Sequence, residues 1–311
     1  MHPRAAALTP TTSGTESPSA ARVRRFQSRV LDWGDAHRRD LPWRATRDAW
    51  RVLVSEVMLQ QTQVDRVIGH YAAFLDAYPG VLDCARSRPG DVVRLWSGLG
   101  YNRRALNLHR AATVIVDQHN GTVPADETSL RALPGVGAYT ARAVLSFAFE
   151  ADVATVDTNV VRVLARGVAG AGLTLRQAQS LADRLLPSGR SWEFNQSMFD
   201  LGATVCTAAG PACGRCPLRH QCRWKRGGMP GPDPWRASPS VRPQARFAGS
   251  DRQGRGRLVH ALRQGDVARE MLASACGWPD DAARAERITV SLVAEGFAEW
   301  GEGRPPMLRL H

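Results

Sequence analysis

Three groups of residues could do chemistry by their type and spacing. The first is a single acid, Glu56, in "SEVMLQQTQV" (residues 55–64), where Val52, Leu53, Val54, Val57, Met58 and Leu59 crowd around it. An ionised carboxylate is rarely buried without a partner, because taking the charge out of water is costly. An acid in an apolar helix therefore calls for a reason. The second group is Cys206, Cys213, Cys216 and Cys222, spaced C-x6-C-x2-C-x5-C. Four thiolates so close in sequence can hold a tetrahedral zinc ion or a 4Fe–4S cluster, and spacing alone leaves both open. Cys84 and Cys276 lie in apolar surroundings and read as plain core residues. The third is "LRALPGVGAYTARAVLSFAFE", which reads as helix, tight turn, helix. Gly135 and Gly137 let the backbone approach closely, and the free N–H groups of the next helix make an anion site that can hold one phosphate.

Helices must position these groups. Residues 23–205 carry apolar spacing of helical type broken by short turns, with no strand pattern, so the region reads as all-α. "DAWRVLVSEVMLQQTQVDRVIGHYAAFLDAYPG" reads as one helix ended by Pro79-Gly80, and "YNRRALNLHRAATVIVDQHNG" as another closed by Asn120-Gly121. Residues 1–22 read as a disordered tail without an apolar signal core, and residues 223–247 as a basic linker rich in Pro and Gly. Residues 248–311 read as three helices and a hairpin around Gly301-Glu302-Gly303, a small winged-helix-like unit.

The net charge of +12 suits a polyanionic partner. It is +7 over residues 1–222 (26 basic, 19 acidic), +5 over 223–247 (six basic, one acidic) and zero over 248–311 (nine of each). Any electrostatic grip on nucleic acid thus belongs to the first 247 residues. No apolar run reaches the roughly 18 residues of a membrane span, so no membrane partner and a cytoplasmic location are expected.

In order along the chain stand "LPWR", "SEVMLQQTQV", "LWSGLGYNRRALNLH", "LPGVGAYTARAV", "VDTNVVRVLAR" and the four cysteines. Together they closely resemble the helix-hairpin-helix DNA glycosylases and, within them, the adenine DNA glycosylases of MutY type. The resemblance covers residues 23–222. It implies a two-lobed helical domain, a six-helix lobe over 43–156 and a cluster lobe from 23–42 plus 157–222, with DNA in the cleft between. It also implies one 4Fe–4S cluster on the four cysteines, a monomer, and double-stranded DNA carrying adenine opposite 8-oxoguanine or guanine as substrate. The short tail resembles those of actinobacterial members and lacks the strand content of the Nudix-like domain that many relatives carry. Deleting 248–311 is therefore expected to leave some excision activity and to weaken discrimination for 8-oxoguanine.

The chemistry of adenine loss gives these residues roles. Protonating N7 makes adenine a better leaving group, and an apolar setting raises a carboxyl pKa, so Glu56 is the expected general acid. The sugar left behind resembles an oxocarbenium ion and needs a carboxylate that stays ionised. Asp157 starts a helix, where N–H donors and the helix dipole are expected to lower its pKa, and Asn159 is expected to support it. Without the resemblance, Asp157 reads as a simple N-cap. Relatives of endonuclease-III type carry a Schiff-base lysine in the hairpin's second helix. Tyr139 stands there in this chain and Lys225 is its only lysine, so a monofunctional glycosylase is expected. Family resemblance further points to Gln61 and Tyr101 at the gap left by the flipped base, Trp43 and Arg44 at the adenine pocket, and Gly135, Val136 and Gly137 at phosphate. Two other functions compete. A thymine glycosylase acting on T:G mispairs leaves Glu56 idle, since thymine has no N7, and a non-enzymatic DNA-binding regulator leaves both carboxylates unexplained.

Overall fold

The computed structural model describes residues 19–239, 246–303 and 305–311. The expected disordered tail falls mostly outside them, and helix α1 (Ala20–His37) begins within its last residues. Among the described residues no helix is long and apolar enough to cross a membrane. The chain divides into two compact units.

The first unit takes the described residues up to Arg38, Val156–Pro187 and 196–239. It holds α1, α9 (Thr158–Leu164), α10 (Leu175–Leu185), the second half of α11 (Ser191–Asp200) and α12 (Arg223–Arg226). Two π turns, Ala165–Ala169 and Leu201–Val205, follow α9 and α11. Wide π turns inside helices mark functional sites more often than chance, and here one carries Arg166 and the other ends at Cys206. Gly34 lets α1 meet α11 closely, since a Cβ there would lie 2.6 Å from Cβ of Ser197.

The second unit takes Arg39–Thr155, Ser188–Asn195 and the described residues from 246 to His311. Its helices are α2 (Ala49–Leu59), α3 (Val64–Ala77), α4 (Val81–Arg86), α5 (Pro89–Leu95), α6 (Arg103–Gln118), α7 (Glu127–Ala132) and α8 (Ala138–Ala148). The core is formed by the apolar faces of α2, α6 and α8 around Leu53, Val54, Leu106, Ile115 and Val144, with Phe74 and Trp96 packed edge to face. The single helix expected from residue 48 to 78 is instead two, α2 and α3, broken over 60–63. Gln61 there has a left-handed backbone (φ 56°), which no helix continues through.

The C-terminal residues form α13 (Asp251–Gln264), α14 (Leu272–Cys276) and α15 (Ala282–Ala294), with strands β1 (Val267–Ala268), β2 (Ala298–Trp300) and β3 (Met307–Leu310). The sheet is antiparallel in the order β1-β3-β2, with Trp300 opposite Leu308. This is the element order expected of a winged-helix-like unit. Cys84 and Cys276 are fully buried, and burial pushes their thiols up to about 12 and about 11.

Candidate active site

In the second unit, α2 is started by Asp48, whose carboxylate accepts the Arg51 N–H at 2.8 Å. The helix carries Glu56 into the core, where the residue is 4% exposed among Val52, Leu53, Val57 and Met58. The burial of this acid, inferred from the crowding of its neighbours, is what the fold provides. Trp43 is enclosed and meets Tyr71 edge-on, and Arg44 donates to Arg39 O at 2.9 Å.

Two exposed side chains stand on strained turns. Gln61 (φ 56°) follows α2 and Tyr101 (φ 47°) precedes α6, both in the left-handed region that side chains larger than Asn seldom adopt. One buried residue ties both turns together. Arg104 Nη1 donates to Val57 O (2.9 Å) and Met58 O (2.7 Å), the open carbonyls at the end of α2. Its Nη2 donates to Thr62 Oγ1 (2.9 Å), Leu99 O (3.1 Å) and Gly100 O (3.0 Å). A guanidinium at a helix C-terminus satisfies orphan carbonyls and suits the negative end of the dipole. Burial lowers the Arg104 pKa to about 10, which still leaves it charged at neutral pH. Sequence reasoning missed Arg104, which in "YNRRALNLH" looks like one arginine on a solvated helix face.

The hairpin joins α7 to α8 through Leu133–Gly137. Gly135 has φ 80°, and a Cβ there would lie 2.8 Å from Cβ of Asn107, so the turn requires glycine. Val136 N–H closes the turn on Leu133 O at 3.1 Å, while Gly137 is the N-cap of α8. Tyr139 lies half-buried in the first turn of α8, and Gln60, next to Gln61, donates to Thr140 at 3.2 Å.

In the first unit, Asp157 is the N-cap of α9 as its sequence context indicates. Its Oδ1 accepts the Val160 N–H and its Oδ2 accepts from Asn159 Nδ2, both at 2.7 Å. Asn159 in turn accepts from Arg162 Nη2 at 2.7 Å, and Arg162 donates from Nε to Cys206 O at 2.6 Å and from Nη2 to Gly202 O at 2.7 Å. A continuous hydrogen-bonded chain thus runs from a carboxylate to the backbone of the first cysteine. The expected lowering of the Asp157 pKa is corrected by the structure. Burial pushes the carboxyl above its ordinary value, and the Val160 and Asn159 hydrogen bonds and the Arg162 charge only partly offset it.

Gly202 makes this chain possible, because a Cβ there would lie 2.6 Å from the Asn159 Cβ. Gly202→Ala is therefore expected to cost about 1–3 kcal/mol by overpacking and to lower excision by displacing Asn159. Thermal unfolding and an excision assay on the same sample check both effects.

Cys206, Cys213, Cys216 and Cys222 line one pocket of about 320 Å³ that opens to solvent, together with Arg166, Trp224 and Lys225. Among the described residues no three His, Cys, Asp or Glu side chains converge as ligands of a single ion. Arg166 donates to Thr207 O at 2.7 Å, approaches Cys206 Sγ at 3.6 Å and pairs with Asp233, while Trp224 stacks on its guanidinium. Asp233 and Trp235, the latter over Arg162 at 5.1 Å, belong to the segment read as a linker, whose residues 223–239 are part of the first unit.

Residues 54–182 match the family described as HhH-GPD superfamily base excision DNA repair protein. The structure of a thermostable thymine-DNA glycosylase is similar at a TM-score of 0.61 and 30% identity, over 66% of this chain and 97% of that one. Fold and domain together define the class as a helix-hairpin-helix base-excision repair protein. The adenine DNA glycosylase of Mycolicibacterium smegmatis is 43% identical over 274 residues, 87% of this chain and 91% of the relative. That of Mycobacterium tuberculosis is 42% identical, over 86% of this chain and 88% of its own. The chain belongs to the adenine DNA glycosylase family.

Proposed function

We propose that the chain hydrolyses the N-glycosidic bond of adenine mispaired with 8-oxoguanine or guanine in double-stranded DNA. The observation that carries this reading is near full-length similarity to adenine DNA glycosylases in a chain with a core acid on α2 and a capped carboxylate on α9. Glu56 delivers a proton to adenine N7, and the glycosidic electron pair leaves with the base. Asp157, held by Val160 N–H and Asn159, stabilises the electron-poor sugar. Water then attacks the anomeric carbon and returns a proton to Glu56. Gln61 and Tyr101 enter the duplex where the nucleotide flips out, Trp43 and Arg44 support the adenine pocket, and the Gly135–Gly137 turn receives a phosphate. Tyr139 stands where a lyase would need an amine.

The test is a duplex panel of A:8-oxoG, A:G and T:G, with alkali added to reveal abasic sites. Excision is expected from the two adenine duplexes only, and borohydride should trap no enzyme–DNA adduct. The T:G arm addresses the likeness to a thymine-DNA glycosylase. Thymine excision, or a trapped adduct, would overturn the assignment.

Cys206, Cys213, Cys216 and Cys222 would hold one 4Fe–4S cluster. Four cysteines lining one pocket suit a four-iron cluster, which takes one thiolate on each iron. Bound there, the cluster supplies iron–thiolate bonds that fix a segment with little secondary structure of its own. The purified protein is expected to be brown with iron and sulfide in equal amounts, and Cys216→Ser to be colourless and poorly soluble. A colourless wild-type protein bearing zinc would refute the cluster.

A further inference from the structure

The turn that carries Tyr101 is intrinsically costly. Gly98 (φ 91°) and Gly100 (φ 70°) are left-handed at no steric cost, but Tyr101 (φ 47°) is left-handed against its own side chain. From inside it is held by Arg104 and by Trp96 Nε1, which donates to Gly100 O at 3.3 Å. From outside it is held by the C-terminal residues, which grip both helices that flank it.

Asn102 is the N-cap residue of α6, a position where Asn ordinarily bonds to the helix backbone. Here it makes no side-chain cap, and its Oδ1 accepts instead from Arg263 Nη2 at 2.9 Å. Arg263, on α13, also donates from Nε to Val93 O at 3.0 Å, in α5. A second grip centres on Glu295, just after α15. Its carboxylate takes Arg103 at 2.7 Å and Arg255 at 2.6 Å, and accepts from Ser291 Oγ at 2.8 Å. Burial pulls the Glu295 carboxyl up, but these partners outweigh it and hold it below its ordinary value. Arg110 of α6 donates to Glu295 O at 2.5 Å. A third contact joins Gly90 N–H of α5 to His311 O at 2.8 Å, where a Cβ would come within 2.6 Å of that oxygen. The zero net charge of this segment fits a part that grips protein rather than phosphate.

We propose that the C-terminal unit is a brace for the base-flipping turn, in which Arg263 and Glu295 are positioning residues that hold α5 and α6 so that Tyr101 is preset to enter the duplex. This rests on the adenine glycosylase reading and adds a role for residues outside the glycosylase domain.

The test is a double-mutant cycle in the full chain. Arg263→Met alone is expected to lower adenine excision about tenfold, the scale of losing charged hydrogen bonds. Tyr101→Ala alone also lowers it. If Arg263 acts through Tyr101, adding Arg263→Met to Tyr101→Ala changes nothing further, whereas a general loss of structure gives additive effects. Hydrogen exchange of the amides at 97–102 in the free protein should quicken in Arg263→Met. Arg263→Lys, which keeps one donor for Asn102, should recover part of the activity, and it carries the cycle if Arg263→Met fails to fold. Additive losses, unchanged exchange at 97–102, or wild-type excision by Arg263→Met would each overturn the brace. No adenine excision by the wild-type protein would overturn the functional reading itself.

Discussion

Asp157→Asn is expected to lose adenine excision by about 10²–10³-fold and yet to gain on the wild type in melting temperature as pH rises. The two halves have one cause. Asn caps a helix about as well as Asp, so α9 keeps the bond to Val160 N–H. What disappears is an ionised carboxylate that the folded protein disfavours, since burial raises the Asp157 pKa in spite of Val160, Asn159 and Arg162. What is also lost is the acceptor for Asn159 Nδ2, because the variant's amide nitrogen only donates, and this loss is the same at every pH. An acid whose folded pKa lies above its unfolded one leaves the native state holding more protons than the unfolded chain between those values. Wild-type stability then falls as pH rises through that window. The melting temperature of Asp157→Asn relative to the wild type should thus be flat below the ordinary Asp range, rise with pH, and level off above the folded value. Because the ionised form is the one that stabilises the sugar, the acidic limb of the wild-type excision profile should lie above the usual carboxylate range. Melting curves and single-turnover rates across pH check both. A variant that excises near the wild-type rate would show that Asp157 is a cap and nothing more, and one that does not gain on the wild type as pH rises would refute the raised pKa.

The reversal at Asp157 illustrates what local sequence carries and what it does not. "VDTNVVRVLAR" contains the cap, because Asp before a β-branched apolar run is a local signal, and the bond to Val160 N–H is made within three residues. The direction of its pKa depends on how the surrounding chain encloses the carboxyl, and no local pattern encodes that. The break between α2 and α3 is similar. "LQQTQV" has no Gly or Pro to announce a turn. It is imposed from outside by Arg104, 42 residues beyond Thr62, which takes the last carbonyls of α2 and the hydroxyl of Thr62. Gly98 and Gly100 do announce the matching turn before α6. The cysteine spacing was legible because the four positions are close in sequence. The docking of Asp233 on Arg166 was not, since a Pro/Gly-rich stretch looks the same whether it hangs free or is pinned by one carboxylate. The hidden residues share a feature: each is a charged side chain whose partner is distant along the chain, and composition alone places such residues on the surface.

Glu56→Gln is expected to reduce excision by about 10²–10⁴-fold, the usual contribution of a positioned acid, with duplex binding retained. Gln matches Glu in shape, so the packing of Val52, Leu53, Val57 and Met58 is preserved, but an amide cannot hand over a proton. The size of the loss does not by itself identify the step, because any role of Glu56 in holding the base would also lower the rate. Changing the acceptor does. If Glu56 protonates N7, a duplex carrying 7-deazaadenine, which has no N7, deprives the wild-type protein of the same assistance that Glu56→Gln lacks. The wild type should then fall to roughly the variant's rate on that substrate, and the mutation should have almost no further effect there. A purine already cationic at N7 should narrow the gap from the other side, by raising the variant towards the wild type. If Glu56→Gln instead lowers excision by the same factor on adenine and on both altered bases, the residue acts on something common to all three, and N7 protonation is not its work.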